Sequence, residues 1–460
     1  MMQKAAAETI LVNESIINLS EAEFDKVGVD SCGRIFRWKG RLFRAIRNEM
    51  TEEVRKMFSS GMIKALVDAR LFPASWIKDY SIEGYGLVVE HELIKHVTYP
   101  FEWPFTMLKD AAVCALRTNI IARKYGYQTK DCHTYNICFD KTTPLFVDLG
   151  SFMRVSEKRG WIAYEDFLTS YYYPLSLWSK GNSFIARKLL FSLSLTEHMP
   201  HESFLLYKHP ILRVLNLNRL RQAVSFYYRF RRMIPCRFVS YESLIKKINA
   251  LSLKKSETQW GDYHNDYYDE KGEPVSDSRF SRIIELVKGH KISSVIELGG
   301  NQGIFSEMLL KNTSVKEVTC TDYDEKAVDA MYKNAKKKAI NLTPAVVDIM
   351  FPLMNYYETP PYERFKSDAV LALAVTHHIV LSQNITIELF FEIVAKYSKK
   401  YVFIEYMPLG LHNGKTAPSL PAWYTQVWFK TAFEKFFTVR LVEQLDENRV
   451  LFFGELKEGK

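Results

Sequence analysis

With 460 residues, 47% of them apolar and 25% charged, the chain is too long for one ordinary domain and too apolar to be disordered. Lys and Arg number 62 against 53 Asp and Glu, a net charge of +9, and no stretch approaches the roughly eighteen uninterrupted apolar residues of a membrane span. Six cysteines, at 32, 114, 132, 138, 236 and 320, form no CxxC pair, so neither a disulfide framework nor a metal site is expected. The opening MMQKAAAETILVNE lacks the apolar block and cleavage pattern of a secretory signal. A reduced, cytoplasmic protein is expected, with peripheral attachment at the inner membrane as the alternative.

Residues 1–30 read as a short peripheral extension. Gly33 to Ile46 predicts two short strands around a Lys39-Gly40 turn. Thr51 then opens an amphipathic helix as its N-cap, with Glu52 and Glu53 in the first turn. A strand at Tyr85–Glu90, a loop punctuated by Pro100 and Pro104, and a long helix from Thr106 to Tyr125 give an α+β unit over 31–180. The stretch 181–257 is basic and helical in pattern, a connector completing that unit. From Ile211 to Trp260 there are eleven basic residues and two acidic ones, Glu242 and Glu257, so this window alone carries the net charge. Its sharpest piece, Tyr227 to Arg232, interleaves basic and aromatic side chains. It is either a solvated connector or a contact for an anionic membrane or a phosphorylated carrier, with nucleic acid the less favoured partner.

From Ser276 the rhythm becomes strand, glycine loop, helix, strand, and 258–460 reads as an α/β unit. A helix at Arg279–Lys288 precedes a strand at Ser293–Leu298 and a helix from Ile304. A strand at Val318–Thr321, a helix at Glu325–Lys338 and strands at 344–347, 368–375 and 400–405 follow. That alternation predicts a doubly wound, mostly parallel sheet covered on both faces. Ligands in such sheets sit beyond the carboxyl ends of the strands, where the strand order reverses. Glu297, Gly299, Gly300, Asn301 and Gly303 fall after the first strand, Asp322 after the second and Asp348 after the third. A carboxylate at Asp322 can take two hydrogen bonds from ribose hydroxyls. The glycines do not spell GxGxxG, so no pyrophosphate cradle is expected.

Taken in order, VIELGGNQGIFS, TCTDYDEKAVDAMY, AVVDIMFP and DAVLALAVTHHIV resemble the successive motifs of class I S-adenosylmethionine-dependent methyltransferases, over residues 258–455. The resemblance implies a Rossmann-like methyltransferase with S-adenosylmethionine as cofactor. By it, Glu297, Gly299 and Gly303 line the methionine end within the loop that also holds Gly300 and Asn301. Asp322 holds the ribose and Asp348 faces the adenine amino group. Asn301 departs from the family, which usually has Gly there. The acceptor side falls to Thr376-His377-His378 and to Glu405-Tyr406 at the next two strand ends. Histidine titrates near neutrality and can serve a hydroxyl as base. Adjacent residues on a strand end point opposite ways, so one of His377 and His378 at most is expected to face substrate. His377, His378 and Glu405 are the candidate catalytic residues. Trp260 to Tyr268 reads either as an aromatic lid or as interdomain packing.

The first unit carries its own pattern. Asp131 and Asn136 in KDCHTYN are five apart, the spacing of the kinase catalytic loop, and Asp148-Leu149-Gly150 resembles the DFG segment. Arg44 stands where the strand lysine is expected, with Glu53 as its expected partner, and no GxGxxG loop occurs near Gly33–Gly40. The likeness is to small-molecule and sugar kinases. It implies Mg-ATP held by Asp131, Asn136 and Asp148 beside Arg44, or an inactive relic, to which the Arg44 exchange points, in which Lys130 and His133 neutralise the acids. A kinase-like lobe followed by a methyltransferase resembles a bacterial two-part family of nodulation-type proteins and relatives associated with surface polysaccharides. That implies methyl transfer to a saccharide or glycan intermediate. The alternatives are a bifunctional kinase-methyltransferase and a non-enzymatic scaffold.

Overall fold

The computed structural model describes residues 16–25, 31–156, 160–191, 240–253, 278–355, 358–412 and 419–459. Tyr227–Arg232, Trp260–Tyr268 and most of the basic 211–260 window lie outside them. In the first unit the strands are β1 (Ile16–Ile17), β2 (Glu23–Phe24), β3 (Gly33–Trp38), β4 (Arg41–Ile46), β5 (Ser75–Lys78) and β6 (Ser81–Ile82). They continue with β7 (Leu87–His91), β8 (Tyr127–Thr129), β9 (Ile137–Asp140), β10 (Thr143–Phe146) and β11 (Phe152–Arg154). Five of these make an antiparallel sheet in the order β2-β3-β4-β7-β5. Lys39 (φ 49°) and Gly40 (φ 71°) turn β3 into β4, the paired positive angles that match the twist of a tight hairpin.

Two expectations need correcting here. Within the stretch read as a short peripheral extension, residues 16–24 are built into the unit: Ile17, 2% exposed, pairs within β1 against β6, and β2 adds a strand to the sheet. Thr51 is the first residue of the helix Thr51–Ser59 rather than its cap, and its hydroxyl donates to the Arg47 carbonyl (3.2 Å). The long helix Phe105–Lys124 is the spine of the unit, burying Leu108, Ala111, Ala112, Ala115 and Leu116. Small side chains on that face let neighbouring elements approach closely. Helix Tyr241–Asn249 packs against it, its Tyr241, Leu244 and Ile248 joining the first core.

The second sheet has β12 (Ser294–Leu298), β13 (Glu317–Asp322), β14 (Leu342–Val346), β15 (Ser367–Ala372), β16 (Ser398–Tyr406), β17 (Phe437–Asp446) and β18 (Arg449–Leu456). Their order is β14-β13-β12-β15-β16-β18-β17. The first five run parallel and β18 is antiparallel to both its neighbours. The doubly wound, mostly parallel sheet is therefore present, and the closing β17–β18 hairpin is an addition to what the sequence pattern gave. Alternate residues serve alternate faces: Val295, Leu371, Phe403 and Phe453 join one core, and Ile296, Val370, Val402 and Phe452 the other. Runs apolar at every position are what a sheet buried on both faces requires.

β14 is an edge strand, and an uncovered edge invites foreign pairing. The first unit lies along it, through Pro100–Glu102. Helix Glu325–Lys338 meets helix Phe105–Lys124 in the same contact. Tyr332, fully buried, donates its hydroxyl to Asp110 (2.5 Å) and to the Thr142 carbonyl (3.2 Å). Thr106 N–H donates to Asp329 at 2.7 Å.

Candidate functional site

Strand order reverses at β12: β13 and β14 extend to one side of it, β15 and β16 to the other. The crevice beyond their carboxyl ends is the ligand position of such sheets. Glu297, the 299–303 loop, Asp322, Asp348, His377, His378 and Glu405 all lie at that end of the sheet.

Gly299 (φ 70°) and Gly303 (φ 73°) adopt left-handed backbone, and so does Asn301 (φ 51°). Asn tolerates that region better than other side-chain-bearing residues, which accounts for its place in a glycine loop. A Cβ on Gly300 would lie 2.4 Å from Cys320 Sγ and 2.8 Å from Glu297 Cδ. Gly300 thus admits the protein's own side chains. The loop N–H groups are engaged internally: Gly299 and Gly300 donate to the Thr321 carbonyl (2.8 and 3.0 Å), Asn301 to Asp322 Oδ2 (2.8 Å), and Gly303 to the Gly300 carbonyl (2.8 Å).

Glu297 fills the N-terminus of helix Ile304–Asn312, accepting from Ser306 Oγ at 2.5 Å and from the Ser306 backbone. Burial pushes its carboxyl up to about 7, against the pull of Ser306, Cys320 and Arg279. Asp322 takes the N–H groups of Asn301 (2.8 Å) and Asp324 (2.9 Å). Burial still prevails and raises it to about 6. Asp348 is exposed, and its Oδ1 caps the turn after β14 by accepting from Met350 (2.9 Å) and Phe351 (3.0 Å).

On the other side of β12, β15 stops at Ala372, and His377 already has helical backbone (φ −65°, ψ −33°) ahead of the turn His378–Ser382. Strand alternation therefore does not apply. The two imidazoles lie side by side, ring centroids 4.0 Å apart. His377 is 6% exposed, and burial, with His378 and Arg449 nearby, lowers its pKa to about 3. That removes it as a base near neutrality. His378 is half-buried and shifted down by the same desolvation. Glu405 is wholly enclosed between Arg449 (3.0 Å) and Arg279 (3.8 Å), so it is an ion-paired brace rather than a catalytic carboxylate. Sequence reasoning missed Ser306, which closes the VIELGGNQGIFS motif, and Arg279 and Arg449, which no motif flags because only folding brings them to Glu405.

In the first unit, Arg44, 4% exposed, pairs with Asp148 at 3.3 Å and not with Glu53. Glu53 binds Arg154 instead (2.7 Å). Lys130 donates to Ser31 Oγ (3.1 Å), so the neutraliser of Asp148 is Arg44 rather than Lys130 or His133. Asp131 and Asn136 are adjacent, with Ser151 Oγ (2.7 Å) and Asn136 Nδ2 (3.5 Å) both donating to the Asp131 carbonyl. Among the described residues no cluster of His, Cys, Asp and Glu is placed to hold a metal ion. No helix among them is long and apolar enough to cross a membrane. A cavity of about 220 Å³ lies between the units at the amino ends of β13 and β14, lined by Lys95, His96, Asp140 and Glu317, away from the crevice.

No protein-family model matches the chain. It is 25% identical over 416 residues to the nodulation protein NoeA of Rhizobium meliloti (strain 1021), covering 82% of this chain and 83% of that protein. Among solved structures, the PH0226 protein of Pyrococcus horikoshii OT3 is 16% identical with a TM-score of 0.34, covering 43% of this chain and 99% of its own. The N-methyltransferase NodS of Bradyrhizobium japonicum WM9 is 15% identical with a TM-score of 0.29, covering 39% and 95%.

Proposed function

We propose that the second unit is an S-adenosylmethionine-dependent methyltransferase acting on an oxygen of a saccharide or glycan intermediate. The observation that carries this reading is the closed state of the glycine loop. Its N–H groups are bonded internally and Glu297 occupies the helix N-terminus, the place where a dinucleotide site receives its pyrophosphate. Asp322 remains at the next strand end for ribose hydroxyls, in a crevice that also holds the acid Glu297. A nucleoside cofactor without phosphates suits that chemistry. The ordered motifs support the same reading, and the glycan acceptor rests on the resemblance of the two-part arrangement to nodulation-type and surface-polysaccharide-associated proteins.

Bound there, the cofactor supplies an electrophilic methyl group on a sulfonium. Asp322 would hold the ribose, Asp348 the adenine amino group, and the 299–303 backbone the methionine end. What the chain then contributes is in-line placement of the acceptor oxygen. His378, its pKa lowered by burial, stands neutral at pH 7 and can take the acceptor's proton. Arg279, Glu405 and Arg449 form the ion-paired floor beside His377. Calorimetry with S-adenosylmethionine tests the cofactor: absence of binding, or equal binding by Asp322→Ala, overturns it. Radiolabelled methyl transfer into fractionated extracts tests the acceptor, and label in RNA in place of glycan overturns that part. Contact of the 211–260 window with an anionic membrane or a phosphorylated carrier is proposed alongside, on its charge alone.

A second reading concerns the first unit. Arg44 on the middle strand of the five-stranded sheet, the helix Thr51–Ser59 after it, and the Asp131–Asn136 loop support kinase-like ancestry. Mg-ATP does not fit the residues as they stand. Asp148 Oδ1 is taken by Arg44 (3.3 Å) and by Gly150 N–H (3.0 Å), and Glu53 on the following helix is paired with Arg154 (2.7 Å). We read the lobe as a relic. A magnesium-dependent rise in melting temperature with ATP, lost in Asp148→Asn, would reverse that reading.

A further inference from the structure

The connection from Asp348 to Pro361, described except at 356–357, is gripped by the first unit. Tyr135, inside the Asp131–Asn136 loop, donates its hydroxyl to Glu358 Oε1 at 2.6 Å. Glu358 also accepts from the Asn355 backbone (2.9 Å) and the Asn355 side-chain amide (3.1 Å). That amide donates in turn to the Phe191 carbonyl at 2.7 Å. Thr359 N–H reaches the Tyr99 hydroxyl at 3.1 Å. Arg364, its side chain 7% exposed, closes the grip with an ion pair to Glu102 and lies 4.2 Å over the Tyr99 ring. Phenol-to-carboxylate bonds are charge-assisted and stronger than neutral ones. Burial, followed by Glu358, keeps the Tyr135 hydroxyl protonated and able to donate.

The other end of this connection is Asp348. Among the described residues β14 is an edge strand with β13 as its one neighbour; past Val347, held by the Asp322 carbonyl (3.0 Å), and the turn that Asp348 caps, the chain takes its further support from the first unit. We propose that Tyr135 is a positioning residue for the cofactor: through Glu358 and Asn355 it fixes the connection that begins at Asp348, so that the first unit completes the adenine end of the second unit's site. This rests on reading the crevice as an S-adenosylmethionine site. It also gives the Asp131–Asn136 loop a use that needs neither ATP nor magnesium: its tyrosine faces the neighbouring unit and holds it.

The test is calorimetry on the full chain, below the melting temperature, with S-adenosylhomocysteine, 5′-methylthioadenosine and 5′-methylthioinosine as probes. Tyr135→Phe and Glu358→Ala should each weaken the two adenine ligands, by roughly five- to tenfold. The double variant should lose no more than either single one. Glu358→Gln keeps an acceptor for the phenol and should bind nearly as wild type does. Methylthioinosine, which lacks the adenine amino group, should be affected little by any of these changes. Wild-type affinity for methylthioadenosine in Tyr135→Phe overturns the proposal, as does equal weakening of methylthioadenosine and methylthioinosine. If the wild-type chain binds none of the three probes, the cofactor reading itself fails, a distinguishable outcome.

Discussion

Glu297 offers a direct measure of how the loop is built. Its carboxyl is buried against Cys320 and Ser306 and raised to about 7 from the 4.5 usual for a glutamate. The folded state therefore holds a proton that the unfolded chain has already released between those two pH values. A raised carboxyl contributes stability fully present below the unfolded value and lost as pH rises through the folded one. A gap of about 2.5 units at 1.36 kcal/mol each corresponds to roughly 3 kcal/mol lost by pH 8, and less than about 1 kcal/mol by pH 5. Glu297→Gln is the isostere of the protonated acid: its carbonyl still accepts from Ser306, and it carries no charge to bury. Chemical denaturation of both chains should give closely similar stabilities at pH 5. At pH 8 the variant should be more stable by about 3 kcal/mol, the difference opening mostly between pH 5 and 7. A difference that stays flat from pH 5 to pH 8 would show that Glu297 is ionised in the folded state. The account of the closed loop would then be wrong.

Gly300→Ala should lower the melting temperature and abolish cofactor binding, since the new methyl would meet Cys320 Sγ at 2.4 Å; a cost below about 1 kcal/mol would show that the loop yields easily. Asp148→Asn should destabilise the first unit by about 2 kcal/mol by removing the carboxylate charge paired with buried Arg44, with S-adenosylmethionine affinity unchanged; unchanged unfolding would show that Arg44 does not depend on it. Tyr332→Phe removes the hydroxyl shared by Asp110 and Thr142 and should cost about 1–2 kcal/mol. The loss should show as earlier separation of the two units in limited proteolysis, and an unchanged digestion pattern would argue against that contact as a tie between them.

Much of the second unit was legible because its signals are local. Glu325 to Lys338 carries a complete helix signature, with Asp324 as N-cap accepting from Lys326 and Ala327. Parallel strands buried on both faces read as unbroken apolar runs, and glycines mark the turn after the first of them. The β17–β18 hairpin was harder to see, because Phe437–Asp446 mixes half-buried and exposed positions at the sheet edge. His377 and His378 were misread for a related reason. The apolar run through Val375 looks like strand to its end, yet the backbone turns helical beside it, and the rule for side-chain direction changes with it.

Periodicity and turn chemistry therefore determined the kind of sheet, the order of its acids and glycines, and the end of the sheet at which they gather. Charge state and partnership were decided only by tertiary structure. Glu405 was a candidate catalytic residue until Arg279 and Arg449 enclosed it, and Arg44 was an expected partner of Glu53 until Asp148, 104 positions away, claimed it. A residue's solvation and its ion partners depend on segments remote in sequence. Burial, the largest cause in each case, raised the Glu297 carboxyl and lowered the His377 imidazole, and no pattern in their neighbouring residues carries that information.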